Sequence, residues 1–242
     1  MKTFLITGAS GGIGSEIART LAKDNNKLIL VYNTNKESIK KIQNELSTIC
    51  EVFVYKCDLV SEEEISKMVE NIIKTHKKID CLINCAGISH FEQIQDTTNA
   101  SFDKVINTNL KSTVLLTAKV SKHMISEQNG KIINISSMWG VVGASMESLY
   151  SASKGAINAL TLSLAKELGP SNITVNAICP GLINTQMNSN LTKETIESIK
   201  NETPLNKIGT PKDVANLVEF LSSDKANFIT GQIITIDGGF TL

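Results

Sequence analysis

The chain has 242 residues, 41% hydrophobic and 20% charged, a globular composition that excludes disorder as its main state. Twenty-four basic residues balance twenty-four acidic ones, so no basic surplus marks a nucleic-acid or membrane-surface footprint. No apolar run approaches the roughly 20 residues of a membrane span, and five cysteines and three histidines lack metal-ligand spacing, so the expectation is a reduced, cytoplasmic protein without a metal.

Apolar, β-branched runs alternate with amphipathic segments along the chain. Thr3–Thr7 reads as a buried strand and Gly12–Lys23 as a helix. Lys27–Tyr32 follows as a strand, Glu37–Ser47 as a helix and Glu51–Tyr55 as a strand. Ser61–His76 reads as a helix, with Ser61 as N-cap and Glu64 completing a capping box. Asp80–Asn84 is a strand, and helical patterns cover Asn99–Asn107 and Leu110–Glu127. Lys131–Ser136 is a strand, Tyr150–Leu168 a helix and Thr174–Cys179 a strand. Pro211–Ser222 is a helix with Thr210 as N-cap, and Gln232–Ile236 is the last strand. The alternation predicts an α/β fold: a doubly wound parallel sheet of about seven strands, helices on both faces and right-handed crossovers. One domain over residues 1–242 is expected. The long strand-free stretch near 182–209, with a helix candidate at Lys193–Lys200, reads as a lid.

Thr7-Gly8-Ala9-Ser10-Gly11-Gly12-Ile13-Gly14 joins the first strand to the first helix. Such a turn lets backbone approach a pyrophosphate and aims a helix N-terminus at it. Its spacing is Gly-x-x-x-Gly-x-Gly, and the competing reading is an ordinary glycine-rich turn. Tyr150 and Lys154 lie four apart on a predicted helix, hence on one face. A free tyrosine titrates near pH 10. An ammonium about 4 Å away, at an effective dielectric near 20, favours the phenolate by roughly 4 kcal/mol, or about three pKa units. Lys154 is therefore expected to bring Tyr150 into range for general acid–base chemistry.

With these motifs the chain resembles the short-chain dehydrogenases/reductases. Further motifs agree: Asn84-Cys85-Ala86-Gly87 after the fourth strand, Asn109 in a helix, Ser137 ahead of Tyr150-x-x-x-Lys154, Cys179-Pro180-Gly181 after the sixth strand, and Asp237-Gly238-Gly239 near the end. The resemblance covers essentially the whole chain and implies a Rossmann-type fold, a nicotinamide cofactor and a homotetramer. It implies that Tyr150 protonates a carbonyl oxygen held by Ser137, that Lys154 holds the nicotinamide ribose, and that Asn109 anchors a relay water. Ser10, Asp58, Leu59, Asn84, Ala86, Gly87, Pro180, Gly181, Ile183 and Thr185 join the glycine loop as cofactor residues, with Thr185 on the carboxamide. Asp58 reads equally as a turn cap. His90, Met138, Trp139 and Met187 are candidates for the substrate pocket, with surface placement (His90) or packing (Met138, Trp139) as alternatives.

An acidic residue at the end of the second strand would favour NAD. Here Asn33-Thr34-Asn35-Lys36 precedes the first carboxylate, Glu37, so a 2′-phosphate meets no repulsion and can bind Asn33, Thr34 and Lys36. The reading is NADPH/NADP rather than NAD. Gly11 stands where NADP-using relatives often carry a basic residue, and Arg19 is the sole arginine. Among reductases the chain resembles the 3-oxoacyl-[acyl-carrier-protein] reductases of fatty acid synthesis. Gln128 and Ser171 stand where those use arginine to dock their carrier protein, with Lys122 and Lys131 as substitutes. A second resemblance, in Tyr32–Asn35, Ser89-His90-Phe91 and Ser137–Tyr150, is to the elongation factor P 5-aminopentanone reductases. There Glu147 becomes a partner for the substrate's amine; the alternative is a solvated loop carboxylate. A non-catalytic NAD(P)-binding regulator is the remote third reading.

Overall fold

The computed structural model describes residues 2–23, 25–189 and 191–242. Seven parallel strands form one sheet: β1 (Lys2–Ile6), β2 (Asn26–Tyr32), β3 (Glu51–Lys56), β4 (Cys81–Asn84), β5 (Gly130–Ile135), β6 (Ile173–Pro180) and β7 (Ile233–Ile236). Their order is β3-β2-β1-β4-β5-β6-β7. The order reverses between β1 and β4, so a crevice opens beyond their carboxyl ends.

Successive side chains of a strand point to opposite faces. In β2, Leu28 and Leu30 join one apolar core, and Ile29 and Val31 the other. The first core is covered by α1 (Gly12–Leu21), α2 (Lys36–Leu46) and α9 (Pro211–Ser222), which contribute Ile17, Ile39 and Val214 among others. The second lies under α3 (Glu62–His76) and α5 (Ser112–Ser126), through Ile65, Ile72, Leu116 and Val120, with α7 (Ser148–Leu168) adding Ala165 and Leu168. This is the doubly wound architecture read from the alternation of elements.

Local differences have physical causes. Ser61 caps α3 by accepting from Glu64 N, but the Glu64 carboxylate accepts from Asp58 N at 2.8 Å, so the capping box is only half formed. Thr210 forms the full box instead, with Asp213. The two helices expected around residue 108 are one continuous path: α4 (Asn99–Ile106) passes through a π-turn at Asn107–Lys111 into α5. A π-turn inserts one residue and re-aims the side chains that follow. The short helix α6 (Trp139–Val142) has no sequence signal, because Gly140 interrupts a four-residue element.

The strand-free stretch at 182–209 carries a short 3₁₀ turn at Gln186–Asn188 and α8 (Lys193–Glu202). Asn190 within it lies outside the described residues. Ile183 bridges to Gly209, and Leu205 N donates to Gly238 O, so its base is tied to the sheet end and to the C-terminal turn.

A buried polar chain crosses the second layer. Asn84 Nδ2 donates to Thr117 Oγ1 at 3.0 Å and to Asn134 Oδ1 at 2.9 Å, while Asn134 Nδ2 donates to Thr161 Oγ1 at 2.9 Å. Buried polar groups are costly to orphan. Replacing Asn134 by leucine removes one buried partner from each of Asn84 and Thr161. Asn134→Leu is expected to lower stability by on the order of 3 kcal/mol in urea denaturation, with the m-value unchanged.

Candidate active site

The glycine loop sits at the strand-order reversal. Gly8 has φ +63, and a Cβ there would stand 2.9 Å from the backbone of Cys85 and Ala86. A Cβ on Gly14 would stand 2.3 Å from Gly8 O, so only glycine allows α1 to start against this loop. Thr7 fastens the opposite wall: its Oγ1 accepts from Cys85 N at 3.0 Å and Ala86 N at 3.1 Å. Gly11 caps α1 without a side-chain acceptor, and no acidic residue stands in the first turn. Those N–H groups are left for an anionic ligand.

The loop lines a cleft of about 890 Å³. Gly8, Ser10, Gly11, Gly12, Ile13 and Gly14 line it, with Asn33 and Thr34 beyond them. Asp58, Leu59, Ala86, Gly87, Tyr150, Lys154, Thr185 and Met187 complete the lining. Asp58 also caps its turn, accepting from Val60 N at 3.1 Å, so both readings of it are compatible. Thr185 packs on the loop: a Cβ on Gly12 would meet its Cγ2 at 2.9 Å.

Several expected cofactor residues lie outside the lining. Asn35 is the N-cap of α2, accepting from Ser38 N at 3.0 Å, and the exposed Lys36 begins that helix. Asn84 is committed to the buried polar chain. Pro180 O accepts from Met138 N, and Gly181 N donates to Ile236 O, so both finish the sheet. The Ile183 side chain is buried in the first core. Conversely, Lys104, Thr108 and Ser112 line the cleft without having been singled out; their i, i+4, i+8 spacing was the available signal.

Tyr150 and Lys154 stand on one face of α7, Lys154 Nζ 5.8 Å from the centre of the phenol ring. Ser137, at the end of β5, hydrogen-bonds Tyr150 and favours its ionised form. Burial outweighs this and pushes the phenol up to about 12. The expected lowering of Tyr150 by Lys154 is therefore corrected. Lys154 is itself desolvated, brought down to about 8, and its Nζ donates to Ile135 O at 2.9 Å. The pair is a protonated phenol beside a buried lysine that keeps its charge below about pH 8.

Asn109 lies in the π-turn. Its Oδ1 accepts from Ile88 N at 2.8 Å, and its Nδ2 donates to Ile88 O at 2.9 Å and Ser153 Oγ at 3.1 Å. Both ends of the amide thus bond protein groups and brace the loop after β4. Met138 is a packing residue, buried with its Sδ 3.4 Å from where a Cβ on Gly181 would stand. Trp139 stacks edge-on against Phe240, centroids 5.6 Å apart, and hydrogen-bonds Glu147. Half-buried, the Glu147 carboxyl is held above its ordinary range by desolvation. His90 Nε2 sits 2.9 Å from Glu92 Oε1, outside the cleft lining. Lys131 is buried and donates to Asn227 Oδ1, so it offers no docking charge; Lys122 is exposed.

Among the described residues no cluster of His, Cys, Asp and Glu could hold a metal, and no helix is long and apolar enough to cross a membrane. The glycine cradle, the uncapped helix start and the hydroxyl and amide groups at the end of β2 fit a dinucleotide.

Comparison with known proteins agrees with this geometry. The family described as Enoyl-(Acyl carrier protein) reductase matches residues 8–241. The Bacillus subtilis oxidoreductase YmfI is 39% identical, over 99% of this chain and 98% of its own. The 3-oxoacyl-[acyl-carrier-protein] reductase FabG of Rickettsia felis is 40% identical over 100% of this chain and 97% of its own, and that of Thermotoga maritima 34% over 100% and 98%. A short-chain type dehydrogenase/reductase from Mycobacterium ulcerans superposes with a TM-score of 0.94 at 28% identity, covering 99% of this chain and 89% of that one. Fold and relatives together define an oxidoreductase built on a dinucleotide-binding sheet. The chain belongs to the short-chain dehydrogenase/reductase family.

The lowered Lys154 carries a pH signature. Between about 8 and its ordinary 10.5 the folded protein has released this proton and the unfolded chain still holds it. Stability from this group therefore rises with pH across that window. Comparing wild type with Lys154→Met cancels the other titrations; the stability difference is expected to move in favour of wild type from pH 7 to pH 10, read from urea midpoints.

Proposed function

We propose that the protein reduces a ketone to an alcohol with NADPH, and that its substrate is a 3-oxoacyl thioester on acyl carrier protein. The observation that carries this is the protonated Tyr150 phenol, hydrogen-bonded by Ser137 and flanked by Lys154, in a cleft that the glycine cradle also lines. A nicotinamide dinucleotide held by the glycine loop, Asn33 and Thr34 would supply hydride. The protein's own residues do the rest. Ser137 donates to the carbonyl oxygen and fixes its position. Tyr150 gives its proton to that oxygen as negative charge develops there. A positive Lys154 makes the phenolate left behind less costly. Asn109 keeps Ile88, and with it the wall of the cleft, in place. The 182–209 segment closes over the substrate end, with Thr185 and Met187 on its inner side.

The homotetramer and the cytoplasmic compartment belong to the same proposal. Exposed Val114 and Leu162 on α5 and α7 suit self-association. Buried thiols at Cys57, Cys81 and Cys179 suit a reducing compartment.

The test is oxidation of NADPH with acetoacetyl-CoA, with NADH in parallel. Tyr150→Phe is expected to reduce turnover at least about 100-fold while leaving NADPH affinity within about two-fold. Retained turnover would overturn the assignment of Tyr150.

One observation favours a second reading, a ketone on a modified lysine of elongation factor P. Glu147 is a half-buried carboxylate close enough to Tyr150 to affect it, and no ion pair involves it among the described residues. A substrate amine would supply the missing charge. If so, an amino-ketone peptide is reduced faster than its N-acetylated form, and Glu147→Gln brings that ratio down about ten-fold. A ratio of one in the wild type rejects this reading.

A further inference from the structure

Met146 has φ +65, in the left-handed region that favours glycine, and a long side chain is strained there. It stands directly before Glu147, the N-cap of α7, and four residues before Tyr150. Such strain persists only where the surroundings hold it, and it gathers at functional sites. The loop after β4 holds Met146: Glu92 N donates to Met146 O at 2.8 Å.

That loop is gathered around the Glu92 carboxylate. Its Oε1 accepts from Ser101 Oγ at 3.0 Å and from Thr97 Oγ1 at 3.1 Å, and His90 Nε2 stands 2.9 Å from the same atom. Ser101 belongs to the capping box that starts α4, so the knot is fastened to a helix end. Burial in the loop is inverted: the Glu92 side chain is 19% exposed, Phe91 70% and Ile94 63%. Apolar burial does not set the path of such a loop; the hydrogen bonds of its carboxylate do.

The loop begins in the cleft, where Ile88 and Ser89 join the lining and Asn109 bonds Ile88 at both N and O. Beyond Met146, the Glu147 side chain accepts no bond from its own helix. The Trp139 indole reaches its carboxyl instead, and Trp139 N donates to Ser137 Oγ at 3.2 Å. One strained turn therefore links Glu92 to the group of Ser137, Trp139, Glu147 and Tyr150.

We propose that Glu92 is a positioning residue for the ketone: its side-chain knot carries the Glu92 N–H to Met146 O, keeps Met146 in the left-handed turn and thereby sets where Glu147 stands beside Tyr150. This rests on the ketone-reductase reading above. Glu92 lies outside the cleft lining and acts through Met146.

The test is steady-state kinetics with acetoacetyl-CoA and NADPH, together with the fluorescence of Trp139, the only tryptophan in the chain. Glu92 and Met146 belong to neither apolar core, so the variants fold. Glu92→Ala is expected to raise KM for the ketone about ten-fold, to lower kcat less than about three-fold and to leave NADPH affinity within about two-fold. It should also make Trp139 more readily quenched by acrylamide. Glu92→Gln keeps an acceptor oxygen and should recover most of the KM. Met146→Gly takes the left-handed turn without strain. Alone it should leave KM within about two-fold, and added to Glu92→Ala it should lower KM at least about three-fold. An unchanged KM in Glu92→Ala, a KM that Met146→Gly does not recover, or an equal loss of NADPH affinity overturns the proposal. A wild type that binds NADPH and reduces no ketone overturns the reductase reading instead. Trp139 quenching that Glu92→Ala leaves unchanged overturns the link from Glu92 to Glu147 whatever the substrate.

Discussion

The structure depends on backbone packing directly against backbone where the strand order reverses. Gly8 lies against Cys85 and Ala86, and Gly14 against Gly8, at distances that leave no room for a side chain. That contact brings the start of α1 and the loop after β4 together at the crevice between β1 and β4. Thr7 makes the same join by hydrogen bonds, satisfying two N–H groups of the β4 loop that would otherwise be unpaired. Helix N–H groups and loop backbone then face one cleft, and Tyr150 and Lys154 line the same cleft.

The second determinant is desolvation. Lys154 is buried and Tyr150 half-buried, and desolvation pushes each toward its neutral form. Side-chain proximity alone predicts a phenol made acidic by its lysine. The folded protein instead holds a phenol ready to give a proton and an amine whose charge is sensitive to its surroundings. Burial is a property of the assembled layers, with Ser136 bonded to Lys154 O and Gly140 pressed on α7. No spacing along the chain contains it.

Much of the fold was legible because its strands are buried on both faces and its helices are amphipathic on one. Apolar β-branched runs such as Lys27–Tyr32 and capped helices such as Pro211–Ser222 carry those signatures in a few residues. The glycine loop was legible for a related reason: its residues are bound to local backbone geometry that other side chains would block. Less legible were features that depend on partners far along the chain. Glu64 reaches Asp58 rather than closing its own cap, and Lys131 is buried against Asn227. Asn109 is bound at both ends by groups that β4 and α7 supply.

By itself, then, the sequence determined the alternation of strands and helices, the glycine turn and the face shared by Tyr150 and Lys154. Each of these is set by period, capping or local backbone freedom within a few residues. Only the tertiary structure decided which polar groups face the cleft. It turned Asn35 into a helix cap and left Lys36 outside the lining. It brought Lys104, Thr108 and Ser112 inside, and it raised the phenol where sequence spacing predicts a lower one. Exposure, desolvation and hydrogen-bond saturation are set by what packs on each residue from distant parts of the chain, and short-range patterns do not carry that information.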